Sequence, residues 1–208
     1  MRYTVLLVIL FAAAAAAQDR PGLLFREDFK ETPAAKPITQ EHIANSDLVL
    51  SLHGPGAAGL KKSHHDQPAD DPYYLWSGEA EGVWAVSLRM RDNLADLTGQ
   101  AKIRWRSKQA GFRQLRIILK LASGEWLVSD QYDPPAVDWR IREFNLAGIR
   151  WRQLDMTTIV EGPWAESPDL SRVDEIGWTD FIRGGSSQAC TRVDWIEVDG
   201  RPVKRPGR

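Results

Sequence analysis

The stretch that decides the fold reads Val173-Asp174-Glu175-Ile176-Gly177-Trp178, followed after a loop by Thr191-Arg192-Val193-Asp194-Trp195-Ile196-Glu197-Val198-Asp199-Gly200. Val, Ile and Trp fit a pleated, half-buried surface, whereas the loop residues Gly184-Gly185-Ser186-Ser187 interrupt such a surface. We therefore predict two neighbouring strands that close a β-sandwich.

Alternation of apolar and polar residues continues upstream of this stretch. One run places on a single face Trp84, Val86, Leu88 and Met90. A second run places on one face Leu115, Ile117, Leu119 and Leu121, and on the other face Gln114, Arg116, Ile118 and Lys120. The turn Ala122-Ser123-Gly124 leads the second run into Glu125-Trp126-Leu127-Val128, which predicts a hairpin. Because no long amphipathic helix separates these runs, the sequence predicts an antiparallel sandwich with one dry and one wet face per sheet.

Two earlier strands are predicted over residues 23–29 and 47–53, and between Gly54 and Gly78 the alternation stops. Loops longer than about 12 to 15 residues without structure of their own tend to be functional or disordered. Aromatic residues in this segment argue against disorder. We therefore expect a functional loop.

The two C-terminal runs have further matches upstream: Asp96-Leu97-Thr98-Gly99 before a strand, Ser123-Gly124-Glu125-Trp126 in a hairpin, and Asp138-Trp139-Arg140 before Phe144. Together they resemble the galactose-binding-like jelly rolls, the fold of many non-catalytic carbohydrate-binding modules. The resemblance implies an all-β jelly roll with a sugar site among the loops at one end. It identifies no site residue, because many functions occur on this fold.

The N-terminus is typical of a secretory signal peptide: Arg2, an apolar run over residues 5–11, and alanines over residues 12–17. A membrane anchor is less favoured, because a spanning helix needs about 20 apolar residues. We predict a signal peptide over residues 1–17, one sandwich domain over 18–200 and a basic tail over 201–208. The mature protein would be secreted or periplasmic and would have no membrane span.

The net charge bears on which ligands the protein binds, and the cysteine content bears on what stabilises the fold. The 208 residues carry 27 Lys and Arg against 28 Asp and Glu, a net charge of −1, which does not favour nucleic-acid binding. Cys190 is the only cysteine, so no disulfide forms within the chain and the fold depends on its core.

The long loop combines ionisable and aromatic side chains, the mixture with which proteins stack on sugar rings and bind hydroxyls. The candidate ligand-binding residues are His64, His65, Asp66, Tyr73, Tyr74 and Trp76. Tyr74 and Trp76 could equally cap the core. His and Tyr could also act as base and acid of a uronate lyase beside an Arg or Lys, but no catalytic motif accompanies them and no catalytic residue is assigned.

Arginines at outward positions of the predicted strands form a second set of candidates. The set comprises Arg89, Arg104, Arg116 and Arg140. If their strands are neighbours, the arginines share one basic face that grips carboxylate or sulfate groups, which suits an acidic glycan. The alternative is that nearby Asp and Glu neutralise them, as is usual for outward positions of a sheet.

No essential cofactor is expected. The resemblance implies a structural Ca²⁺ that ties an early strand to the last one, with Glu27 or Asp28 and Asp194 as ligands. Ordinary strand-edge acids are the alternative.

These observations predict an exported β-sandwich module that binds a polysaccharide or oligosaccharide, with an anionic glycan as one candidate ligand. One alternative is a polysaccharide-degrading lyase or hydrolase that uses the loop over residues 54–80. The other is an envelope-associated module that binds proteins.

Overall fold

The computed structural model describes residues 20–182 and 189–206, which contain fourteen β-strands and three short 3₁₀ turns. The strands are β1 (Gly22–Glu27), β2 (Leu48–His53), β3 (Lys61–Ser63), β4 (Tyr74–Trp76), β5 (Ala85–Met90), β6 (Asn93–Asp96), β7 (Lys102–Gln109), β8 (Leu115–Leu121), β9 (Trp126–Asp133), β10 (Arg140–Asn145), β11 (Trp151–Asp155), β12 (Val160–Trp164), β13 (Val173–Thr179) and β14 (Thr191–Lys204). The turns span Gln40–His42, Ala57–Gly59 and Leu146–Gly148. The predicted signal peptide and the loop residues Gly184 to Ser187 lie outside the described residues.

The strands form two antiparallel sheets, which confirms the predicted all-β sandwich. Sheet A has the order β10-β7-β14, and both β1 and the β3–β4 pair lie against the other edge of β14. Sheet B has the order β2-β5-β13-β8-β9-β11-β12. Strand β14 continues past sheet A and pairs with β6 through Arg201 to Lys204, and β6 in turn pairs with β13. The two sheets are therefore joined along one strand.

Two sequence expectations about the C-terminal strands were wrong. Strands β13 and β14 are not neighbours: β13 lies between β5 and β8 in sheet B, whereas β14 lies between β7 and β1 in sheet A. Both edges of each strand already have partners, and the two strands belong to different sheets. The predicted basic tail over residues 201–208 is also not separate from the domain, because residues 201–204 belong to β14 and pair with β6.

The apolar layer between the sheets is made by the predicted inward positions. Leu115, Ile117 and Leu119 of β8 are fully buried, as are Trp84, Trp105 and Trp178. They belong to one contiguous apolar cluster that also includes residues from β1, β7 and β14. Burial of this area supplies the main favourable free energy of folding, since the chain has no disulfide.

A second apolar cluster lies on the outer face of sheet B and was not predicted. Ile118, which the alternation placed on a polar face, is fully buried there with Ala85, Val128, Leu154 and Ile159. The β11–β12 hairpin and the turn between its strands supply Leu154 and Ile159, and so cover this part of the sheet. Sheet B is therefore dry on both sides near β8.

The segment after Gly54 contains more structure than the sequence predicted. Strands β3 and β4 pair with each other, and β4 pairs with β14 at the edge of sheet A. Only residues 64–73 project as a loop between them. Among the described residues, the structure contains no helix with the length and apolar character needed to cross a membrane.

Candidate functional site

A cleft of about 590 Å³ opens on the outer face of sheet A, between β1, β14 and the loop over residues 64–73. We call it the sheet A cleft. Its lining residues are Arg26, Asp28, Phe29, Glu31, His64, Ala69, Asp70, Asp71, Pro72, Tyr73, Arg106, Asp194 and Trp195. The cleft thus joins two of the six predicted loop residues, His64 and Tyr73, to side chains of β1, β7 and β14.

Trp195 supplies a flat apolar surface in the cleft. A register shift between Val193 and Trp195 in the pairing of β14 with β7 brings Asp194 and Trp195 out of simple alternation. The Arg26 guanidinium lies 4.5 Å from the centroid of the Trp195 ring and occupies one of its faces. At most one face of the indole is therefore left for a ligand.

Tyr73 and His64 form the opposite aromatic element of the cleft. Their rings are stacked, with centroids 4.0 Å apart and an angle of 16° between the planes. The ammonium of Lys62 lies 4.1 Å from the Tyr73 centroid, and two groups this close must occupy opposite faces of the ring. Burial lowers the pKa of Lys62, which also donates a hydrogen bond to the Thr32 carbonyl. Tyr73 is thus held between two groups and has no free ring face.

Charged pairs fill the space between the aromatic elements. Arg26 pairs with Asp28 at 2.5 Å and with Glu197 at 2.5 Å, and Arg106 pairs with Asp194 at 2.7 Å. Burial raises the pKa of Asp194, and the bond from Arg106 opposes this rise. Five carboxylates line the cleft against two arginines, so its lining favours hydroxyl groups over anions.

The other predicted loop residues lie outside the cleft. His65 is exposed, and its Nδ1 lies 3.0 Å from Asp71 Oδ2 and 3.1 Å from the Tyr74 hydroxyl. Asp66 is fully exposed. Its carboxylate is 4.0 Å from His64 Nε2.

Tyr74 and Trp76 do not present open ring faces, so neither is a stacking platform. Tyr74 is 2% exposed and contacts Trp139 edge to face at 5.3 Å. Trp76 is half-buried against Gly78, with the Lys61 ammonium 5.5 Å from its ring centroid. For Tyr74, the alternative that its side chain caps the core is therefore the better description.

The predicted basic face does not exist, because the four candidate arginines lie in three places. Arg104 is on the outer face of sheet A and bonds Asp199 and Glu197, each at 3.2 Å. Arg89 and Arg116 are on sheet B, where Arg116 pairs with Glu161 at 2.7 Å. As in the alternative given above, nearby Asp and Glu residues neutralise most of the charge of these arginines.

Arg140 points inward, against the expected parity of its strand. In β10 it shares a face with the buried Phe144, whereas Ile141, expected to be inward, is 62% exposed. The cause is Asp133, a fully buried carboxylate that accepts hydrogen bonds from Arg140 and from side chains of β7. A buried carboxylate needs such donors, and this requirement outweighs the apolar preference of the pattern.

The three residues predicted as calcium ligands do not form a common shell. Glu27 is buried, and its two oxygens accept bonds from the backbone N–H groups of Phe29, Ala44 and Asn45. Burial raises the pKa of Glu27. Asp28 and Asp194 are each bonded to an arginine in the sheet A cleft. Among the described residues no group of three or more His, Cys, Asp or Glu is placed to hold a metal ion, so the calcium prediction gains no support.

Sequence reasoning missed Trp195, Arg26 and Arg106 as cleft residues. Trp195 was treated as part of the fold because it stands within a strong strand pattern, and the register shift beside it is not visible in the sequence. Asp194 gave no usable signal, because Glu197 and Asp199 are acidic residues of the same run.

No protein-family profile matches the chain, and no curated protein sequence does. In structure the chain is similar to a family 11 carbohydrate-binding module from Clostridium thermocellum in complex with a β-1,3-1,4-mixed-linked tetrasaccharide, at 16% identity, 89% coverage of this chain, 98% of that chain and a TM-score of 0.47. The family 11 module of the cellulosomal cellulase Lic26A-Cel5E of Clostridium thermocellum is 17% identical. The match covers 90% of this chain and 98% of that chain, with a TM-score of 0.47. An exo-β-agarase gives 9% identity and a TM-score of 0.42, with coverage of 78% of this chain and 24% of that one. All three TM-scores are below 0.5.

Proposed function

We propose that the chain is an exported, non-catalytic carbohydrate-binding module whose binding site is the sheet A cleft. The observation that carries the proposal is the placement of the Trp195 ring beside the Arg26–Asp28 and Arg106–Asp194 pairs in one cleft of about 590 Å³. An indole face binds the C–H face of a sugar ring, while carboxylates and guanidinium groups bind its hydroxyls. The N-terminal pattern of residues 1–17 supports export.

The charges of this cleft favour a neutral glycan over an anionic one. Both arginines already hold carboxylates, and Asp70, Asp71 and Glu31 add further negative charge. A uronate or sulfate brought into this cleft would meet like charges, which are unfavourable at short range. Anionic glycans are therefore not the expected ligands of the cleft.

Affinity electrophoresis tests the proposal with the mature protein in gels that contain neutral glucans, xylans or galactans, or polygalacturonate. We expect retardation by at least one neutral polysaccharide and its loss in Trp195→Ala, because one stacked aromatic contributes about 1–2 kcal/mol, or roughly five- to thirtyfold in affinity.

Phe112→Ala is the matched control, since Phe112 is an exposed aromatic residue outside the cleft. Near-ultraviolet circular dichroism verifies that both variants fold. Retardation by none of the polysaccharides, or equal loss in both variants, would refute the proposal.

A second candidate function is polysaccharide cleavage, favoured by the convergence of His64 and Tyr73 with two arginines and two paired carboxylates in one cleft. Its general acid would be Asp194, whose pKa burial raises. Reducing-end release from the bound polysaccharide, abolished in Asp194→Asn and in His64→Ala, would establish it. Binding without release of any product would leave the module non-catalytic.

A further inference from the structure

At the edge of sheet B, the Trp164 ring lies between the guanidinium groups of two arginines. Arg150 is 4.0 Å and Arg152 is 4.2 Å from the ring centroid. Trp164 stands opposite Arg152 in the β11–β12 register. We call these three residues the Arg–Trp–Arg stack.

Strand geometry explains the stack. Side chains two residues apart on a strand point to the same face and are separated by about 6.6 Å, which leaves room for one aromatic ring between two flat groups. Arg150 and Arg152 have this spacing, and the partner strand inserts Trp164 between them. Both indole faces are therefore occupied, and this 40% exposed tryptophan is not available to stack on a sugar ring.

The stack instead presents oriented N–H donors to solvent. The Arg150 guanidinium has no hydrogen bond or ion pair to any of the described residues, and its side chain is exposed. Arg152 donates to the Gly162 carbonyl at 3.0 Å, and Glu161 is 3.9 Å away. Glu161 is closer to Arg116, at 2.7 Å, so one carboxylate serves two arginines. Cationic donors thus exceed the acceptors available to them.

A cleft of about 460 Å³ adjoins the stack through Arg116 and Glu161; we call it the sheet B cleft. Its lining combines these polar residues with Ile159, Val160 and Phe181. Ile159 and Phe181 both have φ in the left-handed region, at 51° and 56°. Such a conformation is uncommon for bulky residues and is often found at functional sites. An apolar wall with polar groups at its rim suits a sugar ring.

We propose that the Arg–Trp–Arg stack binds the sulfate or carboxylate groups of an acidic polysaccharide, whose sugar ring occupies the sheet B cleft. Planar guanidinium groups bind oxyanions with two parallel hydrogen bonds, and the indole between them fixes their orientation before the ligand arrives. The inference rests on the proposed function in one respect: it assumes that the anionic group is attached to a saccharide. It places anionic glycans on the opposite side of the sandwich from the sheet A cleft.

Three dextrans with one backbone test this inference: neutral dextran, carboxymethyl dextran and dextran sulfate. The affinity of the mature protein for each is measured by affinity electrophoresis at low salt. We expect at least one charged dextran to bind more tightly than neutral dextran, and the preferred one identifies the anionic group. The double variant Arg150→Gln/Arg152→Gln should weaken this binding about tenfold or more, the expected contribution of charge-assisted hydrogen bonds.

Lys102→Gln/Arg104→Gln is the matched control, because it removes the same charge from ion-paired residues on sheet A. It should change the affinity less than about threefold, since paired surface cations contribute little. The single variant Arg150→Gln, at an exposed position, gives the same comparison if the double variant folds poorly. Equal loss in stack and control variants indicates non-specific charge attraction and overturns the inference, as does absence of binding to both charged dextrans.

The parallel measurement with neutral polysaccharides separates this inference from the proposed function. Trp195→Ala should leave binding to charged dextran unchanged. Failure of neutral glycans to bind, with charged dextran still bound through the stack, would refute the sheet A cleft alone.

Discussion

The outer faces of the two sheets use the same alternation of residues in different ways. On sheet A the outward positions of β7 and β14 carry opposite charges in register, so that Arg104 faces Glu197 across the strands and Arg106 bonds Asp194. On sheet B the outward Ile118 is buried beneath the β11–β12 hairpin. The difference shows that another element covers sheet B at Ile118, whereas the charged outward positions of sheet A stay at the surface.

Ile118→Ala tests the comparison with the largest expected effect. Removing a fully buried isoleucine side chain leaves a cavity in the second apolar cluster and should lower the free energy of unfolding by about 3 kcal/mol. Urea denaturation followed by tryptophan fluorescence measures this change.

Ile141→Ala is the matched control, because Ile141 is an outward isoleucine of sheet A that is 62% exposed. We expect a change within about 0.5 kcal/mol. Similar effects of the two substitutions would mean that the outer faces do not differ as described.

The alternation in the sequence was sufficient to predict the sandwich, because each inward run needs an apolar partner layer. Leu115, Ile117 and Leu119 are fully buried, as that pattern requires. Strand pairing was not predictable, because hydrogen bonds between backbones leave no mark on side-chain type. The adjacency expected for β13 and β14 was therefore wrong.

Gly177→Ala should have the next largest effect. Gly177 lies between Ser87 of β5 and Ile118 of β8, where a Cβ atom would come within 1.9 Å of the Val86 carbonyl oxygen and 2.7 Å of the Ser87 Cα. Both contacts are with backbone, so the strands must move apart, at a cost of about 2 kcal/mol. Thermal and urea unfolding measure this loss.

Gly22→Ala provides the comparison on sheet A. Gly22 is exposed at the start of β1, and a Cβ there would have no atom within 4 Å. We expect no loss of stability. If Gly177→Ala is equally harmless, β5 and β13 are not packed as closely as the structure shows.

The candidate sites were less predictable than the fold, because side chains distant in sequence had to converge. His64 and Tyr73 were identified, but their cleft is completed by Arg26, Arg106 and Trp195 from other strands. The Arg–Trp–Arg stack depends on the β11–β12 register, which composition does not reveal. Residue type indicated the chemistry of the sites, and pairing determined their position.

His53 gives the smallest effect, a pH dependence confined to sheet B. Its Nε2 lies 2.9 Å from the Ser87 hydroxyl, which donates to Glu175 at 2.5 Å. Since that hydroxyl has only one proton, His53 Nε2 must be the donor to it. Burial lowers the pKa of His53; Glu175 opposes this shift, and Lys120 adds to it.

A lowered pKa in the folded state means that the unfolded chain binds more protons at mildly acidic pH. The contribution of His53 to stability is therefore complete above its ordinary pKa of 6.5 and is lost as the pH falls below that value towards the lowered pKa. His53→Gln keeps an N–H donor for Ser87 but does not titrate. Urea unfolding of both proteins from pH 8 to pH 5 should show the wild type losing stability relative to the variant only below about pH 6.5. Parallel curves over the whole range would show that His53 titrates equally in both states and that burial does not lower its pKa.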